Sequence, residues 1–192
     1  ALQRMAGKGV EFVNVSPVRS SLETSGPGKW LAQQPHSDTA LMLGLAHTLV
    51  ANGWHDVGFL ARCCTGFSRF EAYLMGREDG RPKDAAWASA ITGIEAATIT
   101  QLADRMRRKR TMLNIAWSLQ RAEHGEQSFW MLVTLACLLG QVGLPGGGFG
   151  VGYGASGMMG NSHALFGRPV LPQGRNPVRS FIPVARITDM LE

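Results

Sequence analysis

The segment formed by residues 111–127, TMLNIAWSLQRAEHGEQ, constrains the fold more than any other part of the sequence. Its first six residues are mostly apolar and include β-branched side chains, which predicts a strand over 111–116. Polar side chains follow, and a long apolar helix is then predicted from about 125 to 139, ending at Gly140. In an open α/β sheet, ligands bind beyond the carboxyl ends of the strands. The sequence therefore predicts a ligand site in the polar stretch after this strand.

The rest of the chain alternates short strand patterns with helix patterns. A strand is predicted over 10–15, and a short apolar piece follows at 30–33. Helices are predicted over 1–8 (the end of one), 39–51, 56–64, 67–75, 84–90 and 94–110. Strands alternating with helices predict an α/β fold with a doubly wound, mostly parallel, Rossmann-like sheet. We expect residues 1–140 to form this α/β domain.

Glycine dominates the sequence after the last predicted helix. Ten of the 24 glycines lie between Gly140 and Gly160, around Phe149 and Tyr153. Such clustering predicts several turns with positive φ, or backbone that passes close to a bulky group. A Pro-rich loop over 161–183 and a helical pattern over 184–191 complete the chain. We expect residues 141–192 to be a Gly/Pro-rich loop segment and the start of a helix within the same domain.

Charge and composition exclude several classes of function. The net charge is +5, and much of it comes from one run, RMRRKR at 105–110, at the end of a predicted helix. Cations at a helix C-terminus suit the helix dipole, whereas a nucleic-acid surface would interleave them with aromatic residues. We therefore expect no nucleic-acid binding. The longest apolar run, 129–139, is too short to span a bilayer, so no membrane span is expected.

The three cysteines and the two ends of the chain also carry information. Cys63, Cys64 and Cys137 lack metal-ligand spacing, and we interpret them as small buried hydrophobic residues. The chain starts with ALQRM and stops within a helical pattern, so it is expected to be a piece of a longer protein.

The polar stretch after the predicted strand contains the first candidate site residues. The Trp117 indole can form a pocket wall, and the Arg121 guanidinium can bind a phosphate or an oxyanion. Gln120, His124 and Gln127 can bind a heterocycle or a phosphate near the helix N-terminus. The structural alternatives are a buried Trp with an Arg stacked on it, and surface or capping roles for the others.

A second candidate precedes the helix predicted over 39–51. The Asp38 carboxylate can accept two N–H bonds from a guanine edge, or it can cap the helix, as can Ser37. His124 has no Ser or Cys nucleophile at a motif spacing, and no phosphate-binding GxxxxGK[ST] loop exists. Reasoning from the residues predicts an α/β module with a ligand crevice near Ser16, Asp38 and residues 117–127.

Six ordered segments resemble a known family. They are VEFVNVSPVRS, SDTALMLGLAHTLV, CTGFSRFEAYLMG, DGRPKDAAWASAITGI, AWSLQRAEHGEQSFWM and LGQVGLPGGGFGVGYG. Together they resemble the molybdenum oxidoreductases of the dimethyl sulfoxide reductase family, and in particular its trimethylamine N-oxide, dimethyl sulfoxide and biotin sulfoxide reductase branch. Proteins of this family are much longer, so the resemblance implies an internal fragment of their cofactor-binding α/β domain.

The resemblance implies a cofactor, a reaction and a set of site residues. The cofactor is bis-molybdopterin guanine dinucleotide with molybdenum, one dinucleotide of which this domain binds. The reaction is oxygen-atom transfer from trimethylamine N-oxide, dimethyl sulfoxide or biotin sulfoxide to the reduced metal centre. Trp117 and Arg121 match the catalytic residues of the substrate funnel. The matches on the cofactor side are Ser16, Pro17, Asp38, Ser118, Gln120, His124, Gln127, Gly146 and Gly147.

The resemblance also implies what lies outside this chain. The metal-ligating serine is expected upstream, so these residues supply no metal ligand and the fragment alone should not turn over substrate. The partners implied are a small S- or N-oxide and an electron donor, which is a cytochrome, a thioredoxin-like protein or a nicotinamide cofactor. The implied location is the periplasm or the cytoplasm. The alternatives are a fragment of a formate dehydrogenase or nitrate reductase, or a non-catalytic guanine-nucleotide-binding module.

Overall fold

The structure, a computed structural model, describes residues 2–22 and 28–151 and, beyond them, only residues 172, 174, 175 and 177. The chain divides into two compact units, Ala1–Gly157 and Met158–Glu192. All of the helices and strands in the described part belong to the first unit. The predicted helix over 184–191 lies outside the described residues, as does the predicted loop over 161–183 apart from those four positions.

The first unit contains both helices and short parallel strands, which confirms the predicted α/β class. The elements are α1 (Leu2–Ala6), β1 (Phe12–Val15), a 3-10 turn (Arg19–Ser21), β2 (Gly28–Leu31), α2 (Asp38–Ala51), α3 (Val57–Cys63), α4 (Phe67–Leu74), α5 (Ala85–Thr92), α6 (Ala96–Arg108), β3 (Met112–Ile115), a 3-10 turn (Trp117–Gln120), α7 (Glu126–Leu138) and β4 (Gly148–Val151). The helices predicted up to residue 139 and the predicted strands β1 and β3 all occur, with ends shifted by at most two residues.

The strands form two separate parallel pairs in the described part of the chain. β1 pairs with β2, with Phe12 opposite Gly28, and β3 pairs with β4, with Met112 opposite Gly148. The two parallel pairs agree with the predicted parallel strands, but within the described ranges they do not form the single doubly wound sheet that was predicted. β4 also lies inside the stretch predicted as loop, because glycine-rich residues carry no strand pattern of their own and the pairing with β3 defines the strand.

Helix α2 forms the centre of the core. Ten of its 14 residues are buried, and it packs against α5, α6 and α7. Its near-uniform apolar surface had predicted this burial. Gly44 allows the closest approach, because a Cβ atom added there would lie 2.5 Å from the Ala88 Cβ of α5. The helix ends as predicted at Asn52 and Gly53, whose φ of +64° suits glycine.

The basic end of α6 is held by ion pairs. Arg105 and Lys109 contact the Glu11 carboxylate at 2.8 and 2.6 Å, just before β1. The Lys109 ammonium, followed by the Arg105 guanidinium, holds the pKa of Glu11 below its usual value. Arg107 and Arg108 instead pair with Asp104 within the helix. These contacts support the interpretation of the basic run as a solvated helix end.

The prediction that all three cysteines are buried was wrong. Cys63 is exposed, whereas Cys64 and Cys137 are partly buried and pack against the core. Burial, followed by a hydrogen bond with Cys64, raises the pKa of the Cys137 thiol to about 11. The error has a simple cause: Cys63 ends the short helix α3, whose only buried residue is Leu60.

None of the helices in the described ranges combines the length and apolar character that a bilayer crossing requires.

Candidate functional site

Candidate site residues follow the carboxyl ends of three strands. Ser16 follows β1, the segment leading to Asp38 follows β2, and Trp117 is two residues beyond the end of β3. Within each of the two parallel pairs, the carboxyl ends lie at the same edge, which is where open α/β sheets bind ligands. The strand–turn–helix arrangement predicted from the sequence thus places polar groups where a ligand can reach them.

A cleft of about 270 Å³ lies between the start of α2 and the start of α7. Residues from two distant parts of the chain line it: His36, Asp38 and Thr39 on one side, and Leu119, Ala122, Glu123, His124, Gly125, Gln127 and Ser128 on the other. The structure therefore brings together three of the predicted site residues, Asp38, His124 and Gln127. Their roles in binding stay predictions.

The Asp38 carboxylate is oriented by a buried amide. Gln33 is only 6% exposed, and its Nε2 donates to Asp38 Oδ1 at 2.6 Å. Gln33 Oε1 is buried without a hydrogen-bond partner in the described structure. Ser37 does not cap α2 as predicted, because its hydroxyl donates instead to the Gln34 carbonyl oxygen at 2.5 Å. With Oδ1 engaged by Gln33, the half-buried carboxylate keeps acceptor capacity for a ligand in the cleft.

One hydrogen bond joins the two walls of the cleft. The hydroxyls of Thr39 in α2 and Ser128 in α7 lie 3.1 Å apart, across 89 residues of sequence. Ser128 is buried, and the two helices pack against each other. This contact fixes the separation of the helix starts and therefore the width of the cleft.

Gly125 determines how closely the 3-10 turn approaches α7. A Cβ atom at this position would lie 2.5 Å from the Gln120 carbonyl oxygen and 2.6 Å from the Leu119 carbonyl oxygen. Both clashes are with backbone, which cannot rotate away. Only glycine therefore permits the turn that carries Trp117 and Gln120 to fold directly onto the start of α7.

The predicted catalytic pair lies outside this cleft. Trp117 is 50% exposed, and Arg121 follows the 3-10 turn as an exposed residue whose N–H donates to the Ser118 carbonyl oxygen. Ser118 and Gln120 are exposed as well. A 3-10 turn has three residues per turn, so Trp117 and Arg121 do not share a face as they would on an α-helix. All four residues are exposed to solvent in the described structure.

Ser16 and Pro17 form a separate turn at the end of β1. The Ser16 hydroxyl accepts from the Val18 N–H at 3.1 Å, and its carbonyl oxygen accepts from Trp30 Nε1 at 2.8 Å. The Arg19 guanidinium lies 5.9 Å from the centre of the Trp30 ring. Neither Ser16 nor Pro17 lines the cleft at Asp38.

Gly146 and Gly147 lie at the other end of the β3–β4 pair. They precede β4, whose first residue is opposite the first residue of β3, so they flank the starts of the strands and not their carboxyl ends. A Cβ atom at Gly147 would lie 2.8 Å from the Gln141 carbonyl oxygen. Gln141 in turn accepts from the Thr111 N–H at 2.7 Å. In this structure the two glycines support the strand pair and do not touch the cleft.

The charge of the cleft differs from that of the whole chain. Its lining residues include two carboxylates, Asp38 and Glu123, and two imidazoles, His36 and His124, but no Lys or Arg. Such a lining favours a neutral ligand with N–H donors over a phosphate. In the ranges 2–22 and 28–151, no group of three or more His, Cys, Asp or Glu residues has the geometry to hold a metal ion.

Several cleft residues were missed by sequence reasoning. His36, Thr39, Glu123 and Ser128 line it, and Gln33 orients the Asp38 carboxylate. His36 and Glu123 were detectable as neighbours of predicted residues. Thr39 and Ser128 were not, because their contact depends on the packing of α2 against α7.

Comparison with known proteins identifies relatives along the whole chain. The family described as molybdopterin oxidoreductase matches residues 1–184. A biotin sulfoxide reductase of Cereibacter sphaeroides is 50% identical over 99% of this chain and 26% of its own length. A dimethyl sulfoxide/trimethylamine N-oxide reductase of Rhodobacter capsulatus is 44% identical over 100% of this chain and 24% of its own length. The chain thus spans about a quarter of the length of these relatives.

A solved structure has a similar fold. Acetylene hydratase from Pelobacter acetylenicus superposes with a TM-score of 0.58 over 70% of this chain and 18% of its own chain, at 18% sequence identity. This similarity concerns the fold alone. The family match over residues 1–184 and the relatives at 50% and 44% identity establish that the chain belongs to the molybdopterin oxidoreductase family.

Proposed function

We propose that this chain is part of a molybdenum-dependent S-/N-oxide reductase, within which it binds one guanine dinucleotide of a bis-molybdopterin guanine dinucleotide cofactor. The observation that carries the proposal is that Asp38, His124 and Gln127 line the same cleft. Relatives named as biotin sulfoxide and dimethyl sulfoxide/trimethylamine N-oxide reductases favour this branch over formate dehydrogenases or nitrate reductases.

The lining of the cleft fits a guanine base. Pockets that hold a drug-sized ligand measure roughly 300–1,000 Å³. The cleft of about 270 Å³ is therefore suited to one part of a dinucleotide. The Asp38 carboxylate, with Oδ1 already held by Gln33, accepts from the N1–H and N2–H donors of guanine. The imidazoles of His36 and His124 supply flat walls.

The phosphates of the cofactor require positive groups outside this cleft. Exposed candidates in the described part are Arg19, in the turn after Ser16, and Arg121. Gly146 and Gly147 are proposed to bring uncharged backbone close to a more distant part of the cofactor.

Trp117 and Arg121 are proposed to contact the substrate. The molybdenum cofactor, when bound, supplies the two-electron chemistry and the acceptor for the oxide oxygen. The Arg121 guanidinium donates hydrogen bonds to that oxygen and stabilises its developing negative charge. The Trp117 ring excludes water and limits the shape of the S- or N-oxide that enters. Electrons come from a separate donor.

The two strand pairs are proposed to belong to one doubly wound sheet in the longer protein. β1–β2 and β3–β4 are both parallel, and helices connect them, as in the halves of such a sheet. Strands supplied by the rest of the polypeptide would complete it.

The test uses the full-length protein, expressed in a host that makes the molybdenum cofactor. We expect about one molybdenum and about two acid-released GMP per chain, because this cofactor carries two dinucleotides. Reduction of trimethylamine N-oxide, dimethyl sulfoxide and biotin sulfoxide is then assayed in turn. A folded, soluble protein without molybdenum and without GMP contradicts the proposal.

A matched pair of variants tests the role of Asp38. Asp38→Asn removes the negative charge and presents an N–H₂ group to the guanine donors, so this one dinucleotide should be lost and the GMP content is expected to fall from about two toward about one per chain. Asp104→Asn is the control, since Asp104 lies on α6 and, among the described residues, pairs with the exposed Arg107 and Arg108. Equal GMP content in both variants excludes Asp38 as a guanine contact.

A further inference from the structure

Two histidines stand out in the backbone of the described residues. His36 has a φ of +62° and His124 a φ of +55°, and every other described residue with positive φ is a glycine. Side chains other than Gly disfavour this left-handed region, although His, Asn and Asp tolerate it better than most. Both histidines line the cleft that contains Asp38. Two left-handed non-glycine residues in one cleft make their side chains candidates for a functional role.

The strain at His36 is not offset by any contact of its own side chain. His36 lies in the turn between β2 and α2 and is exposed, and within the described part of the chain its imidazole makes no hydrogen bond or ion pair. Glycine would adopt this backbone without strain, as it does at Gly53 and Gly93. Folding of the described residues therefore gives no reason for an imidazole at this position.

We propose that His36 is a cofactor-binding residue that stacks on the guanine base whose edge Asp38 binds. This inference rests on the proposed function and extends it to a residue that the cofactor-binding set above did not include. Aromatic side chains stack on nucleobases, and the flat imidazole suits this contact. Asp38 lies two residues further along the chain, so one short turn supplies both the edge contact and the face contact.

The charges around His36 are consistent with a base-binding role. The Asp38 carboxylate lies beside His36 on the same wall of the cleft, and the Glu123 carboxylate and the His124 imidazole lie on the opposite wall. His124 Nε2 lies 3.9 Å from Glu123 Oε1, a contact that is ionic only when the imidazole is protonated. Since no Lys or Arg lines the cleft, a ring contact at His36 adds affinity without attracting phosphate.

Three substitutions at one position separate the ring from the backbone. His36→Gly relieves the strain and removes the ring. His36→Asn keeps a polar side chain that tolerates the left-handed backbone but has no ring. His36→Phe keeps a ring that can stack but cannot be charged. The full-length protein carrying each variant is loaded with cofactor, and the GMP that stays bound is measured over time in mild urea after removal of free nucleotide.

We expect His36→Gly and His36→Asn to lose nucleotide about tenfold or more faster than the unmodified protein, because base–aromatic stacking contributes strongly to binding. His36→Phe is expected to lose it at close to the unmodified rate. The cofactor-free protein, made in a host that lacks molybdopterin synthesis, gives a second measurement: His36→Gly should melt at the same temperature or higher.

Two results overturn the inference. The first is equal nucleotide loss from His36→Gly and the unmodified protein. The second is fast loss from His36→Phe together with a lower melting temperature for cofactor-free His36→Gly, which would assign His36 a structural role. Both differ from failure of the proposed function, in which the unmodified full-length protein holds no GMP at all.

Discussion

Replacement of Gly125 by Ala tests how the cleft is built. Gly125 precedes α7 with φ −59° and ψ −25°, a right-handed helical conformation that alanine adopts freely. Judged by backbone preference alone, the substitution should stabilise the helix by up to about 1 kcal/mol. The space around the residue predicts the opposite result.

The clash outweighs the helix preference. The new Cβ would lie 2.5 Å from the Gln120 carbonyl oxygen and 2.6 Å from that of Leu119, whereas ordinary van der Waals contact begins at 3.4 Å. Because both atoms are backbone, the 3-10 turn must move away from α7. Overpacking costs about 1–3 kcal/mol, and two simultaneous backbone clashes place this case in the upper half of that range, at about 2–3 kcal/mol. Subtracting the helix preference of about 1 kcal/mol leaves a net local destabilisation of about 1–2 kcal/mol.

Hydrogen exchange in the full-length protein measures this local effect. A loss of about 1–2 kcal/mol corresponds to roughly 5- to 30-fold faster exchange of the amides in the first turn of α7 and in the Trp117–Gln120 turn. GMP content should fall as well, since the 3-10 turn contributes Leu119 to the cleft.

Gly58→Ala in α3 is the matched control. A Cβ there would lie 3.2 Å from Arg62 Nη1 and 3.4 Å from Asp56 Oδ1, both on side chains that can move. It should leave exchange around the cleft unchanged and slightly stabilise α3. If Gly125→Ala behaves in the same way as Gly58→Ala, then close packing between the turn and α7 does not define the cleft.

Three further predictions concern the core, a thiol and an ion pair. Gly44→Val should destabilise the core, because its Cβ would lie only 2.5 Å from the Ala88 Cβ and its two methyl groups add further bulk. The free energy of unfolding measured in urea should fall by about 1–3 kcal/mol or more. Cys137, with its pKa raised to about 11 by burial, should react with iodoacetamide at pH 8 about a hundredfold more slowly than a thiol of pKa 9.0, as judged by mass spectrometry. Lys109 is the main cause of the lowered pKa of the Glu11 carboxylate, so the stability that this carboxylate contributes is present above its unfolded pKa and is lost as the pH falls through its folded pKa. Amide hydrogen exchange in β1 should therefore become faster over this acidic range in the unmodified protein. In Glu11→Gln this acid-induced increase should be absent.

Apolar patterns predicted the helices well because each pattern reports directly on burial. The nearly all-apolar α2 is buried along most of its length, and the spacing of Ile99, Ala103 and Met106 matches the buried face of α6. Gly53 and Gly140 end helices with positive φ as their positions predicted. In these segments local sequence and tertiary packing favour the same structure.

Contacts between distant segments were not predictable in the same way. β4 contains Gly148 and Gly150, and it is a strand because β3 lies beside it. The hydrogen bond between Thr39 and Ser128, which joins the cleft walls, has no local signal either. The left-handed backbone of His36 was equally hidden, since the residue type permits several conformations and the turn selects one.

The distribution of charge determines which part of a dinucleotide each segment can bind. The chain is basic overall, with 19 Lys and Arg against 14 Asp and Glu, yet the cleft between α2 and α7 has two carboxylates and no Lys or Arg. Five cations at 105–110 are the obvious source of positive potential, but four of them are already paired with Glu11 or Asp104. A pyrophosphate in the cleft would face carboxylates at short range, whereas the N–H edge of a guanine would face acceptors. Under the proposed function, base recognition and phosphate neutralisation would therefore fall to different segments, as expected of a domain that holds one end of an extended cofactor.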